Sequence, residues 1–205
     1  MKRTLSILIS TLGWFAVIAQ YFLMIENRVA TITETTIRFF SYFTILTNSL
    51  CAIYFTAISV SSNDPSTLNK RSAILTPITV YITVVGLVYQ IVLRHLWEPK
   101  GMQKVVDELL HSIIPAVVII FWYFFGQVRK AKYTNSIKWL IYPVAYFILI
   151  LMRGNIAGFY PYPFIDVSQI GILKALQNSL LLMLLFVFLS MAFIFIGKKF
   201  GKHLS

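Results

Sequence analysis

The chain has 205 residues, 58% of them hydrophobic and only 12% charged, with a mean hydropathy of +0.77. Soluble domains carry about 25% charge and about 45–50% apolar residues, so the composition argues against a soluble enzyme, a nucleic-acid reader or a disordered tail. The net charge of +11, from 18 Lys and Arg against 7 Asp and Glu, is the excess that the cytoplasmic loops of a membrane protein carry.

A membrane-spanning helix needs about 20 predominantly apolar residues. Six runs qualify in chain order: 5–25, 39–60, 73–93, 109–125, 137–152 and 172–196. The first follows Met1-Lys2-Arg3 as a signal peptide would, and Val17-Ile18-Ala19 resembles a cleavage site. Its apolar character continues to Ile25, so an uncleaved first helix is expected. The fifth run is short and is expected to extend into its flanks. Pro77, Pro115 and Pro143 fall inside the third, fourth and fifth runs, where membrane helices tolerate proline if neighbours satisfy the freed carbonyl. Trp14, Trp97, Trp122 and Trp139 lie in or near the runs, as amphipathic rings do at headgroup level. Cys51 is expected to be a buried, inert thiol. No internal repeat is visible. The expected fold is all-α: a polytopic membrane protein with one six-helix transmembrane domain over residues 1–205.

Six spans put both termini on one side. That side would hold eleven of the 18 basic residues, among them Lys2, Arg3, Lys70, Arg71, Arg129, Lys130, Lys198, Lys199 and Lys202. The positive-inside rule then makes the termini cytoplasmic; a bacterial inner membrane is the expected setting. Every acidic residue except Asp64 falls on the other side, together with His95 and His111. Groups capable of acid–base chemistry therefore gather on the non-cytoplasmic side.

Polar groups inside spans are costly and face the bundle interior, where they pair or work. Ser41, Thr44, Asn48 and Cys51 are spaced i, i+3, i+7 and i+10 and would share one helix face. Such a stripe serves either as interhelical glue or as the carrier of a reactive hydroxyl, which needs a base. The fourth run supplies one in Asp107-Glu108-Leu109-Leu110-His111-Ser112. Asp107, four residues before His111, is placed to fix the imidazole tautomer. At about 1.5 Å rise per residue, Thr44 and His111 enter their spans to comparable depth. After Arg153, the segment through Phe159-Tyr160-Pro161-Tyr162-Pro163 to Asp166 is stiffened by its prolines. It is either an interfacial aromatic belt or a lid held down by Arg153 and Asp166. Gln177 and Asn178 in the sixth run are expected to be interhelical glue.

The stretches Ser41-Tyr42-Phe43-Thr44-Ile45-Leu46-Thr47-Asn48, Leu110-His111 to Pro115, Trp139-Leu140-Ile141-Tyr142-Pro143, and Arg153-Gly154 through Gly158-Phe159-Tyr160-Pro161-Tyr162-Pro163-Phe164 occur in an order that resembles the androgen-induced-gene family of membrane proteins and its bacterial relatives. The resemblance runs from the second span to the last loop. It implies six spans and, from the eukaryotic members, a threonine hydrolase that cleaves fatty-acid esters of hydroxy fatty acids with one threonine and one histidine. The threonine matches Thr44, with Thr47 one turn away as the alternative, and the histidine matches His111.

The expected chemistry is carboxylic ester hydrolysis by acyl transfer, with Thr44 as nucleophile and His111 as base. Asn48 and Arg153 are the candidates for stabilising the oxyanion. Ser41, Asp107, Tyr160 and Asp166 would support the site or bind substrate. The expected partners are a lipid ester and membrane lipids. No cofactor and no nucleic acid are expected. Two other readings stay open. One is a zinc-dependent lipid hydrolase, with His95 and His111 as ligands and Asp107, Glu108 or Asp166 as the third. The other is a lipid-binding or transporter-like protein that uses the same polar stripe without turnover.

Overall fold

The computed structural model describes residues 1–60, 65–126 and 131–200, with the backbone alone over 65–73. Asp64, Arg129, Lys130, Lys202 and His203 lie outside the described residues. Among the described residues the structure is helical, without a strand. Six helical stretches are long and apolar enough to cross a membrane: Lys2–Glu26, Phe43–Val60, Ile74–Leu96, Gly101–Phe125, Asn135–Ala157 and Ile172–Phe200. These helices leave large apolar side chains such as Phe22, Ile120 and Phe188 exposed. In water such surface drives association, whereas in lipid it is the expected exterior. The architecture is that of a multi-pass integral membrane protein.

The elements in order are α1 (Lys2–Glu26), α2 (Ile32–Phe39), α3 (Phe43–Val60) and α4 (Pro65–Val88), which continues through a π turn at Tyr89–Leu93 and a 3-10 turn at Arg94–Leu96. Then follow α5 (Gly101–Glu108), a second π turn at Leu109–Ile113, α6 (Ile114–Phe125), α7 (Asn135–Trp139) and α8 (Ile141–Ala157). A 3-10 turn at Pro163–Ile165 leads to α9 (Val167–Ile170) and α10 (Ile172–Phe200). By contacts the chain forms two compact units, one of residues 1–131 and 193–205 and one of residues 132–192.

In the first unit, the second apolar run, 39–60, is not helical throughout: it opens on the last residue of α2 and becomes α3 only after a break. Thr31 caps α2, its Oγ1 accepting the Glu34 N–H at 3.2 Å, and Arg38 pairs with Glu34 at 2.8 Å. The chain then tightens, with Ser41 N–H donating to Arg38 O (2.9 Å) and Tyr42 N–H to Phe39 O (3.3 Å), before α3 starts at Phe43. Apolar side chains flank this break on both sides, so hydropathy alone does not register it. The expected four-residue stripe is corrected accordingly. Ser41 lies in the break, donating its hydroxyl to Ile37 O at 2.7 Å, and only Thr44, Asn48 and Cys51 share the α3 face. Cys51 is fully buried, as expected.

Directional contacts fix how these helices run. Arg3 Nε–H donates to Ser59 O (3.0 Å) and Trp14 Nε1–H to Thr56 Oγ1 (3.0 Å), so α1 and α3 are antiparallel. Between them Gly13 admits a close approach, since a Cβ there would lie 3.0 Å from Ala52 Cβ. Trp122 Nε1–H donates to Thr76 Oγ1 (3.0 Å), and Gln90 Nε2–H to Ser112 Oγ (2.8 Å), so α4 and α6 are antiparallel as well. Gln103 at the start of the fourth span donates to Gln20 late in α1 at 2.8 Å. The second and fourth spans therefore run parallel, and both begin at the end of this unit farthest from Met1, here the distal end. Trp122 is 3% exposed and meets Phe193 edge-on at 4.6 Å. It anchors the core, which corrects its expected place at the interface.

In the second unit α8 extends through Arg153 and Gly154 to Ala157, and ends on Gly158 in the left-handed region (φ +63°). A Cβ at that backbone angle is strained, so glycine is the fitting residue. The irregular segment thus begins at Gly158 and not at Arg153. Tyr162 and Phe164 stack with centroids 5.2 Å apart. Asn178 donates to Phe164 O at 2.8 Å, the glue role expected of it.

Candidate functional site

The local fold of the fourth span follows from Pro115. It has no N–H to offer the carbonyl four residues back, and its ring crowds that carbonyl, which belongs to His111. The helix widens into the π turn at Leu109–Ile113 immediately before it. Gly86 on α4 makes room for this turn, since a Cβ there would lie 3.2 Å from both His111 O and Pro115 Cβ. The second π turn, Tyr89–Leu93, lies opposite. π turns concentrate at functional positions because they re-aim side chains that a regular helix would hold elsewhere.

His111 projects toward the N-terminus of its own helix, as helical side chains do. Its Nδ1 is 3.0 Å from Asp107 O and 3.2 Å from Asp107 Oδ1. Both neighbours are acceptors, so Nδ1 is placed to donate a proton to them. Asp107 and His111 are 7% and 13% exposed at the side chain. The other Asp107 oxygen accepts the Tyr89 hydroxyl, and the Tyr89 ring stacks on the imidazole at 4.1 Å with 12° between planes.

A closed ring of hydrogen bonds lies one residue along. Gln90 Nε2–H donates to Ser112 Oγ (2.8 Å), Ser112 Oγ–H to Glu108 Oε2 (2.6 Å), Arg94 to Glu108 Oε1 (2.5 Å), and Arg94 to Gln90 Oε1 (2.8 Å). Four polar groups that would be expensive in the membrane satisfy one another and join the third span to the fourth.

Thr44, buried, is the second residue of α3. Asn48, one turn on and fully buried, donates to Thr44 O (2.9 Å) and to Leu110 O (3.2 Å). Its amide thus ties the helix of Thr44 to the π turn of His111. Both N–H bonds of that amide are engaged, and its Oδ1 accepts no hydrogen bond from the described residues. The expectation that Asn48 stabilises an oxyanion is corrected, since what its side chain has left to offer is an acceptor, and an oxyanion needs a donor.

The structure therefore brings Thr44, Asn48, Asp107 and His111 into one unit, with Ser41 just before α3. Arg153, Tyr160 and Asp166 belong to the other unit. There the Arg153 guanidinium lies 5.2 Å from the centroid of the Phe159 ring, and Tyr160 covers Gly154 so closely that a Cβ would meet its ring at 2.0 Å. Asp166 is the N-cap of α9, accepting from Ser168 N–H (3.0 Å), the Ser168 hydroxyl and Gln169 Nε2–H (2.9 Å). Both Asp166 carboxylate oxygens are taken up in this local cap.

Tyr89, Gln90, Arg94 and Ser112 were not singled out from the sequence. Gln90 and Arg94, four apart at the end of one span, face Glu108 and Ser112, four apart at the start of the next. That pairing across a short loop is the signal that could have found three of these links. Among the described residues, no three or more His, Cys, Asp or Glu side chains converge as metal ligands. No protein-family model, no curated protein and no solved structure matches the chain.

Proposed function

We propose that the protein is an intramembrane carboxylic ester hydrolase acting on lipid esters, fatty-acid esters of hydroxy fatty acids or similar, with Thr44 as nucleophile and His111 as general base. The observation that carries the reading is the Asn48 amide, which binds Thr44 O and Leu110 O at once. The second and fourth spans run parallel, and one amide nitrogen reaches both carbonyls, so the turn of Thr44 lies beside the turn of Leu110. His111 follows Leu110 directly, and its imidazole leans toward Asp107 O on the same helix. Thr44 also lies on the Asn48 face at i−4, which favours it over Thr47.

In the proposed reaction the Thr44 hydroxyl gives its proton to His111 Nε2 as Oγ bonds to the ester carbonyl carbon. Collapse of the tetrahedral intermediate breaks the bond to the alcohol oxygen, which takes the proton from His111. A water molecule, deprotonated by His111, then attacks the acyl-threonine; the acyl–Oγ bond breaks, Thr44 Oγ takes the proton back from His111, and the fatty acid is released. Asp107, holding Nδ1–H, favours the imidazolium formed in each half. Thr44 at the positive end of the α3 dipole favours the negative charge that develops beside it. The basic-residue count supports cytoplasmic termini, with the distal end on the opposite face, and a bacterial inner membrane is the proposed setting.

A second reading is a lipid-binding protein without turnover. The ring of Gln90, Ser112, Glu108 and Arg94 favours it, being the kind of tie that membrane helices use for association alone. Purified protein assayed on a panel of long-chain esters separates the two. The hydrolase reading expects turnover that falls by at least about a hundredfold in Thr44→Ala and in His111→Ala, the range of a lost nucleophile or base. Turnover equal in wild type and both variants would refute it.

A further inference from the structure

We infer that Tyr89 is a positioning residue for His111, a role that rests on the hydrolase reading for its consequence but not for its geometry. The carboxylate of Asp107, which the Trp97 side chain also approaches, has two oxygens, and each has a task. Oδ1 lies 3.2 Å from His111 Nδ1, and Oδ2 accepts the Tyr89 hydroxyl. A carboxylate held on one oxygen only can turn about its Cβ–Cγ bond and exchange the two. Held on both, it keeps one oxygen aimed at Nδ1, and with it one tautomer of the imidazole. The ring of the same tyrosine lies flat on the imidazole at 4.1 Å, so His111 cannot swing about its own Cβ–Cγ bond without displacing Tyr89. One side chain thus restrains the base in two ways, through the carboxylate and by direct cover of one face.

The backbone beneath supports this. Tyr89 opens one π turn and His111 lies in the other. The next residues along, Gln90 and Ser112, are bonded to each other at 2.8 Å, and Arg94 and Glu108 close the register at 2.5 Å. The Tyr89–His111 stack therefore sits on a pinned pair of turns and does not depend on the ring alone. Tyr89 is 4% exposed, which keeps water from competing for its hydroxyl. It acts through Asp107 and His111 and is not itself a reacting group.

The test compares Tyr89→Phe, which removes the hydroxyl and keeps the ring, with Tyr89→Leu, which removes both. Two quantities are read: kcat and KM on a long-chain ester, and the His111 ring in ¹⁵N-histidine-labelled protein, with its resonances assigned by their loss in His111→Ala. Wild type should show Nδ1 protonated and Nε2 bare. Tyr89→Phe should show a mixture of tautomers, kcat lowered about tenfold and KM within about twofold, as expected when a general base is misoriented and not removed. Tyr89→Leu should lose about a hundredfold in kcat. Should Tyr89→Leu not fold, Tyr89→Phe decides alone. A wild-type tautomer and full kcat in Tyr89→Phe would overturn the role, as would a loss confined to KM. If wild type shows no Thr44-dependent hydrolysis, the hydrolase reading fails, and the tautomer comparison still decides what Tyr89 does.

Discussion

Tyr89 and His111 lie face to face, 4.1 Å between ring centroids and 12° between planes, although they come from different spans. Each belongs to a π turn, and the two turns oppose each other across the Gly86 face of α4. The widened turn before Pro115 frees the His111 carbonyl and sets where the imidazole points. The site is thus built from backbone irregularity first and from side-chain choice second.

Pro115→Ala tests that order. Alanine restores an N–H that can bond His111 O and close a regular α turn. Thermal stability in detergent should stay level or rise, since a proline within a helix costs about 3 kcal/mol. Thr44-dependent ester turnover should fall at least about tenfold as the imidazole leaves Asp107 and Tyr89. Full activity in a variant of unchanged or higher stability would mean that the π turn is incidental.

Asn48 is a tie between helices, and its variants should behave as such. Asn48→Ala should cost about 1–3 kcal/mol, the range for a lost buried hydrogen-bonding group, measured by thermal unfolding in detergent. Asn48→Asp should cost more, about 3–5 kcal/mol, by setting an uncompensated carboxylate against the carbonyls of Thr44 and Leu110. Lower kcat in Asn48→Ala at wild-type stability would instead give Asn48 a direct part in the chemistry.

Gly154 in the second unit carries a packing prediction. A Cβ there would lie 2.0 Å from Tyr160 Cε1, so Gly154→Ala must push the ring off α8. The expected loss is about 1–3 kcal/mol, typical of overpacking. The double variant Gly154→Ala with Tyr160→Ala should recover part of it. No recovery would show that the strain lies elsewhere.

Much of this architecture is legible in the sequence, and the exceptions have physical causes. Six apolar runs mark the spans, yet their ends extend past the hydropathy signal to residues such as Glu26 and Ala157, because polar side chains at the interface reach water from a helical backbone. The break between α2 and α3 lies among phenylalanines and a tyrosine, so only backbone hydrogen bonds reveal it. The break is also what puts Thr44 at a helix N-terminus. The pairing of Asp107 with His111 follows from i, i+4 spacing alone. Tyr89 does not, because an aromatic residue in an apolar run reads the same whether it faces lipid or a base. The direction of the Asn48 amide depends on which carbonyls surround it, and composition carries no trace of that. Asp166 followed by Ser168 and Gln169 carries a readable helix-cap pattern, and the structure forms that cap.

Orientation has its own check. With Cys51→Ala as background, a cysteine at Val29, 93% exposed between α1 and α2, should react with a membrane-impermeant thiol reagent in intact cells. One at Tyr133, 44% exposed between α6 and α7, should be protected until the membrane is opened. The reverse pattern would put the distal end in the cytoplasm.

The central claim is that Thr44 is a nucleophile activated by His111, and covalent capture tests it most directly. Purified protein is treated with a long-chain fluorophosphonate, and the modified residue is located by peptide mass spectrometry. The account predicts a phosphonyl adduct on Thr44 that is absent from Thr44→Ala and at least about tenfold weaker in His111→Ala, as expected when the general base is lost. An adduct on Thr47, or labelling that persists unchanged in Thr44→Ala, would contradict it.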